Sequence, residues 1–206
     1  MKLMNNRRLG LLLFAFGPLF WGSSASVASA LFGQYQVSPS WMVAVRMFCF
    51  GLLILLFGLL TQQKLFVVFK NTYDTVHLLL FTVFGMTMVQ LTYFMAIQAG
   101  NAATATILQY LSPVIIIIYL ALKHWRFPSR IDTISVIVAV IGTALIVTQG
   151  HLNSLALPLP AVVWGLLAAV GAAVYTLMPG RLLIKYGAIS IVGWSMLFGG
   201  VLIGLC

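Results

Sequence analysis

AATATILQYLSPVIIIIYLALKHWRFPSR, residues 102–130, carries the argument for the fold in one stretch. From Ala102 to Leu122 nothing is charged, and Val114 to Ile118 are apolar at every position; Lys123, Arg126 and Arg130 then follow close together. A helix needs ~20 apolar residues to cross ~30 Å of hydrocarbon, so this reads as a membrane span ending in a basic gap. Open strands leave backbone groups unpaired in lipid, and a run without alternation is not a barrel strand.

The pattern repeats outward in both directions. Apolar runs fall at roughly Leu9–Leu31, Trp41–Leu60, Val76–Ile97, Ala102–Leu122, Thr133–Thr148, Ala161–Met178 and Ser190–Cys206. Ten of the eleven Lys and Arg residues sit in every second gap: Lys2, Arg7 and Arg8; Lys64 and Lys70; Lys123, Arg126 and Arg130; Arg181 and Lys185. The gaps at Gln34–Ser40, Gln98–Asn101 and Thr148–Pro160 hold none. Basic residues beside spans stay cytoplasmic, which predicts an all-α polytopic bundle of about seven spans, in the cell membrane with its N-terminus inside.

Composition agrees. The chain is 62% hydrophobic and 6% charged, with a mean hydropathy of +1.11, so membrane lipid is its solvent. A net charge of +9 spread over four short gaps is no nucleic-acid footprint. Cys49 and Cys206 lie in apolar runs and read as packing residues. Lys2, Arg7 and Arg8 before an apolar stretch ending at Ala28-Ser29-Ala30 also resemble a signal peptide, yet the run continues through Leu31 and Phe32, favouring a retained first helix.

What is missing excludes several chemistries. Asp74 and Asp132 are the only acids and fall in gaps, leaving no carboxylate within a span to relay protons or bind a cation. His77, His124 and His151 lie at span ends or in gaps, so no His reaches a buried Ser for proteolysis. No GxxxxGK[ST] phosphate loop is present. No enzymatic reaction and no cofactor or metal is expected; passage of a small-molecule solute, or assembly alone, remains.

Polar residues inside spans are costly and therefore informative. Arg46 is the one certainly charged residue within a run, and two readings stand: it snorkels outward while Trp41 anchors the interface, or it lines a polar cavity and attracts an anionic group. Gln90 and Tyr93 share a face of span three, as Gln109, Ser112 and Pro113 do of span four, and the tight turn between these spans lets the faces oppose. Interhelical hydrogen bonding or a substrate-facing strip would each use them. Pro113 is expected to bend span four. Trp21, Ser23, Ser24 and Ser26 follow Gly17-Pro18 in span one, where the serines either turn inward or bond their own backbone. Gly165, Ala169 and Ala173, with Ala168 and Ala172 beside them, predict close packing on span six.

The segment AGNAATATILQYLSPV (Ala99–Val114), with Leu19-Phe20-Trp21-Gly22, Pro39, Arg46 and Ile141-Gly142-Thr143-Ala144, resembles the EamA-like family of the drug/metabolite transporter superfamily, over roughly Leu9 to Gly150. The resemblance implies a ten-helix permease of two inverted five-helix repeats, moving a small metabolite, amino acid or drug-like solute, often outward, by alternating access. It implies a central cavity that Trp21, Ser24, Arg46, Gln90, Tyr93 and Gln109 could face as substrate-binding residues. Residues 9–150 would form the first repeat and 161–206 an incomplete second one. Sliding the chain until Gly22 falls on Gly171 also brings Val43 onto Val192, Met47 onto Met196, Gly51 onto Gly200 and Leu53-Ile54 onto Leu202-Ile203, while Arg46 meets Ser195. About seven spans against ten suggest truncation; a homodimer could complete the cavity, and the alternative to transport is a non-transporting assembly partner or inactive remnant.

Overall fold

The computed structural model describes residues 16, 19–20, 22–125, 127–148 and 157–205. Among them there are helices and no strand. We number them α1 (22–34), α2 (Pro39–Leu60), α3 (Thr72–Ala99), α4 (Ala102–His124), α5 (Arg130–Thr148), α6 (Leu159–Leu177), α7 (Gly180–Tyr186) and α8 (Ala188–Gly204). Five of them, α2 to α6, are long and apolar enough to cross a membrane, and the pair α7–α8, bent by 119°, makes a sixth if counted as one span. The apolar run expected as a span over Ser190–Cys206 falls on α8, which is 17 residues long and counts toward a span only with α7. Of the first expected span, α1 carries the second half, running unbroken through Ala28–Ala30 to residue 34; Lys2, Arg7, Arg8, Gly17, Pro18 and Trp21 lie outside the described residues, as do Arg126, His151 and Cys206.

Local chemistry sets the helix starts. Asn71 caps α3 by accepting from Asp74 N at 3.3 Å. Asn101 caps α4 by accepting from Thr104 N at 2.9 Å, so only Gly100 and Asn101 separate α3 from α4. Ser129 and Asp132 form a reciprocal box at the start of α5, Ser129 Oγ donating to Asp132 Oδ2 at 2.7 Å and accepting from Asp132 N at 3.2 Å. Pro39 and Pro160 occupy first-turn positions of α2 and α6, where no N–H is needed.

Glycines set the closest approaches. A Cβ on Gly51 would lie 2.5 Å from Leu197 N, and one on Gly200 2.5 Å from Phe48 N, so α2 and α8 cross backbone to backbone. Gly193 faces Leu55 and Gly204 faces Ala44 further along, and the descending numbers make the pair antiparallel. In the register that puts Gly51 on Gly200, Phe48 falls on Leu197, Ala44 on Gly193 and Leu55 on Gly204. Each contact is therefore the other seen from the opposite helix, and the crossing has a local two-fold. On α6, Gly171 meets Val89 N and Gly165 meets Leu108, while Ala168, Ala169 and Ala173 are buried; the small-residue face does bring α6 against α3 and α4.

Two features of α3 lie outside what hydropathy indicates. Phe81–Thr87 forms a π-helical turn in mid-span. Asp74, expected in a gap, is instead in the first turn of the helix and buried, with Lys185 Nζ at 2.5 Å and Tyr186 Oη donating at 2.7 Å. Nearby, Leu65 O accepts from Ser190 Oγ and Trp194 Nε1, and His77 Nε2 lies 3.0 Å from Met178 O. The α2–α3 and α6–α8 connections thus pack together at one end of the bundle, as two basic gaps on the same membrane face should. The ion pair is asymmetric: Lys185 is 44% exposed and Asp74 1%. Lys185→Ala, which strands a buried carboxylate, should therefore lower the melting temperature more than Asp74→Asn, which frees an ammonium that water can reach. The double variant should melt near Asp74→Asn; equal losses from the two single variants would show that the pair does not act through Asp74 burial.

Candidate functional site

The polar residues inside the spans converge. Arg46, on α2, points into the bundle: Nη1 donates to Ser24 Oγ of α1 at 3.3 Å, Nη2 donates to Gln90 Oε1 of α3 at 2.5 Å, and its guanidinium carbon sits 4.6 Å from the Phe94 ring centroid. Three helices thus hold one cation, which is the cavity-lining reading of Arg46 and not the snorkelling one. The planar fork suits this, since it can donate to two oxygens while stacking on a ring. Of the serines singled out in span one, Ser23 and Ser26 donate to Phe20 O and Gly22 O, and Ser24 turns to Arg46.

The α3–α4 faces oppose as their spacing predicts. Tyr93 Oη and Thr106 Oγ1 are 2.8 Å apart. Thr106 Oγ1 already donates to Ala102 O at 2.8 Å, so the tyrosine hydroxyl is the donor in the pair. The bend expected from Pro113 is a break at Tyr110–Leu111. Proline has no N–H to give the carbonyl four residues back, that of Gln109; Leu111 N turns to Leu108 O at 3.1 Å, and the helix restarts at Ser112. At this break the Gln109 side chain is buried, and its Oε1 has no protein hydrogen-bond partner.

These groups line one cavity of about 480 Å³. Arg46 comes from α2; Met86, Val89, Gln90 and Tyr93 from α3; Gln109, Tyr110 and Ser112 from α4; Ala172, Tyr175 and Thr176 from α6. The volume lies within the ~300–1,000 Å³ of small-molecule sites. Four of the six residues expected at a cavity are on its walls; Ser24 stands behind Arg46, and Trp21 lies outside the described residues. Sequence reasoning missed the α6 wall. Ala172 was visible only as a packing residue, and Tyr175 and Thr176 gave no polar spacing to notice; Tyr175 is fixed by stacking on Phe81 at 5.7 Å.

Residues 8–148 match the EamA-like transporter family. Over 200 residues the chain is 38% identical to a Salmonella typhimurium (strain LT2) protein named "Uncharacterized inner membrane transporter YicL", an alignment covering 97% of this chain and 67% of that protein. No solved structure matches the chain.

Proposed function

The chain belongs to the EamA-like transporter family and is a multi-pass membrane transporter of the drug/metabolite type, and from that premise we propose that it carries a small metabolite, amino acid or drug-like solute outward through the cavity at Arg46. The observation that carries this reading is the guanidinium itself, turned away from lipid and held by Ser24 and Gln90 on the cavity wall. A cation so costly in a span persists where it meets a substrate or water. Vesicles loaded with a defined mixture of carboxylates, amino acids and their neutral analogues, and carrying the purified chain, should lose at least one component faster than protein-free vesicles. Retention of every component at the protein-free rate would sink the transport reading.

The transport cycle is alternating access between two inverted repeats, the first over residues 9–150 and the second beginning in 161–206. The two-fold crossing of α2 and α8, in the register found by sliding the chain on itself, supports this division. The protein sits in the cell membrane with its N-terminus cytoplasmic, a reading supported by the alternation of basic gaps. In a Cys49→Ala/Cys206→Ala background, an impermeant maleimide should label Gln34→Cys on intact cells and Gln63→Cys only after lysis; the reverse pattern would invert the topology.

A further inference from the structure

Resting on that transport reading and concerning how the cavity closes, we propose that α7 is a cytoplasmic gate: a short plank, hinged at both ends, that shuts the bundle beneath the cavity and is latched to α3 through Asp74.

The first observation is where α6 stops. Its last turn puts Tyr175 and Thr176 on the cavity wall. Tyr175 stacks on Phe81, and a Cβ on Gly85 would lie 3.4 Å from Tyr175 Cα, so α6 ends beside the middle of α3. From Phe81 back to Thr72, ~14 Å at 1.5 Å per residue, α3 runs on without it. The segment after α6 covers that length. Met178 O sits 3.0 Å from His77 Nε2, the Arg181 guanidinium carbon 5.4 Å from the Tyr73 ring centroid, and Lys185 and Tyr186 reach Asp74. Within α7, Leu182 is buried against the bundle and Ile184 is exposed. Bent by 119° from α8, α7 lies across the end of the bundle that the basic gaps mark as cytoplasmic, next to the wall that Tyr175 and Thr176 provide.

The second observation is how α7 is hung. Gly187 joins it to α8 at φ +80°, a conformation that suits glycine, and nothing stands within 4 Å of where a Cβ would be. At the other end Pro179 has no N–H to continue α6, and Gly180 beside it is equally open. Positions of this kind, at the ends of elements, absorb the backbone change when a rigid piece swings.

The third observation is the balance of the latch. Asp74 Oδ2 takes both Lys185 Nζ and Tyr186 Oη, whereas its buried Oδ1 accepts from nothing among the described residues. Burying a half-satisfied carboxylate costs much of what its ion pair returns. Lys185 already reaches water, and a swing of α7 would bring water to Asp74 as well, so the latch can release as well as hold.

Thr176→Cys in the Cys49→Ala/Cys206→Ala background tests the gate through its rate of reaction with an impermeant maleimide. Lys185→Ala leaves the carboxylate alone whenever α7 is shut, so labelling from the cytoplasmic side, in inside-out vesicles, should rise at least about 10-fold. Adding Asp74→Asn should return it toward the starting rate, and labelling from the outside, in right-side-out vesicles, should not rise. An unchanged cytoplasmic rate, a rise that Asp74→Asn does not reverse, or a rise from both sides as a loosened fold would give, would overturn the gate. With Asp74 and Lys185 kept, Tyr73→Cys/Arg181→Cys bridged by a short bis-methanethiosulfonate should stop the flux of whichever solute the vesicles pass, and reduction should restore it. Undiminished flux through the bridged protein would remove the gate and leave transport standing. If nothing passes in any form, the labelling still decides the gate, and the transport reading alone falls.

Discussion

Arg46→Gln should lower solute flux in reconstituted vesicles by about 10- to 100-fold, the loss of one charge-assisted hydrogen bond to the solute, with insertion and abundance at wild-type levels. Abundance is spared because the partners left behind are not sealed in. Ser24 and Gln90 are half-buried, and Gln90 lines the cavity, so water can replace the guanidinium there. Arg46→Lys should fall between, because an ammonium keeps the charge but cannot reproduce two directed donors and a planar stack on Phe94. Flux at the wild-type rate in Arg46→Gln would reduce this residue to a structural tie between α1, α2 and α3.

Gly51→Ala and Gly200→Ala should each destabilise the folded chain by about 1–3 kcal/mol, with leucine at either position removing most folded protein. The added methyl would meet backbone nitrogen at 2.5 Å in both cases. A backbone atom cannot rotate aside as a side chain can, so α2 and α8 must move apart along their whole crossing. Gly142→Ala on α5, where nothing lies within 4 Å, is the control and should be near neutral. Because the two crossing contacts are equivalent, the losses at Gly51 and Gly200 should agree closely. Denaturant titration in detergent reads both; a Gly51→Ala variant as stable as Gly142→Ala would mean that the crossing is not tight.

Hydropathy located the helices well because lipid sorts residues by polarity alone. It underestimated α3, expected over Val76–Ile97 and found over Thr72–Ala99. The extra turn is polar, and what makes it helical is the Asn71 cap and the remote partners of Asp74, Lys185 and Tyr186. The same limit applies at the site. Spacing along one helix could bring Gln90 and Tyr93 to a common face, and a tight turn could set that face against α4. No local pattern could choose between the two readings of Arg46, since the choice depends on Ser24 of another helix turning toward it. Nor could spacing reveal that α6 closes the cavity with Tyr175 and Thr176, because α6 reads from its sequence as a surface for packing.

The wide turn at Phe81–Thr87 has a consequence for rotational phase. A π-turn holds one residue more than the α-helix around it, and each residue advances an α-helix by about 100°. On one side of the turn α3 is clamped at Asp74; on the other it presents Gln90 to Arg46 and Tyr93 to Thr106. Closing this turn as regular α-helix with all its residues kept would swing the Gln90–Tyr93 face about a quarter turn away from its partners, whereas deleting a single residue between Phe81 and Thr87 would let the helix run regularly with that face still toward Arg46 and Thr106. The alignment of the cavity with the clamped end of the bundle is thus kept by a wide turn that takes up one supernumerary residue, a vernier setting between two halves of a single helix.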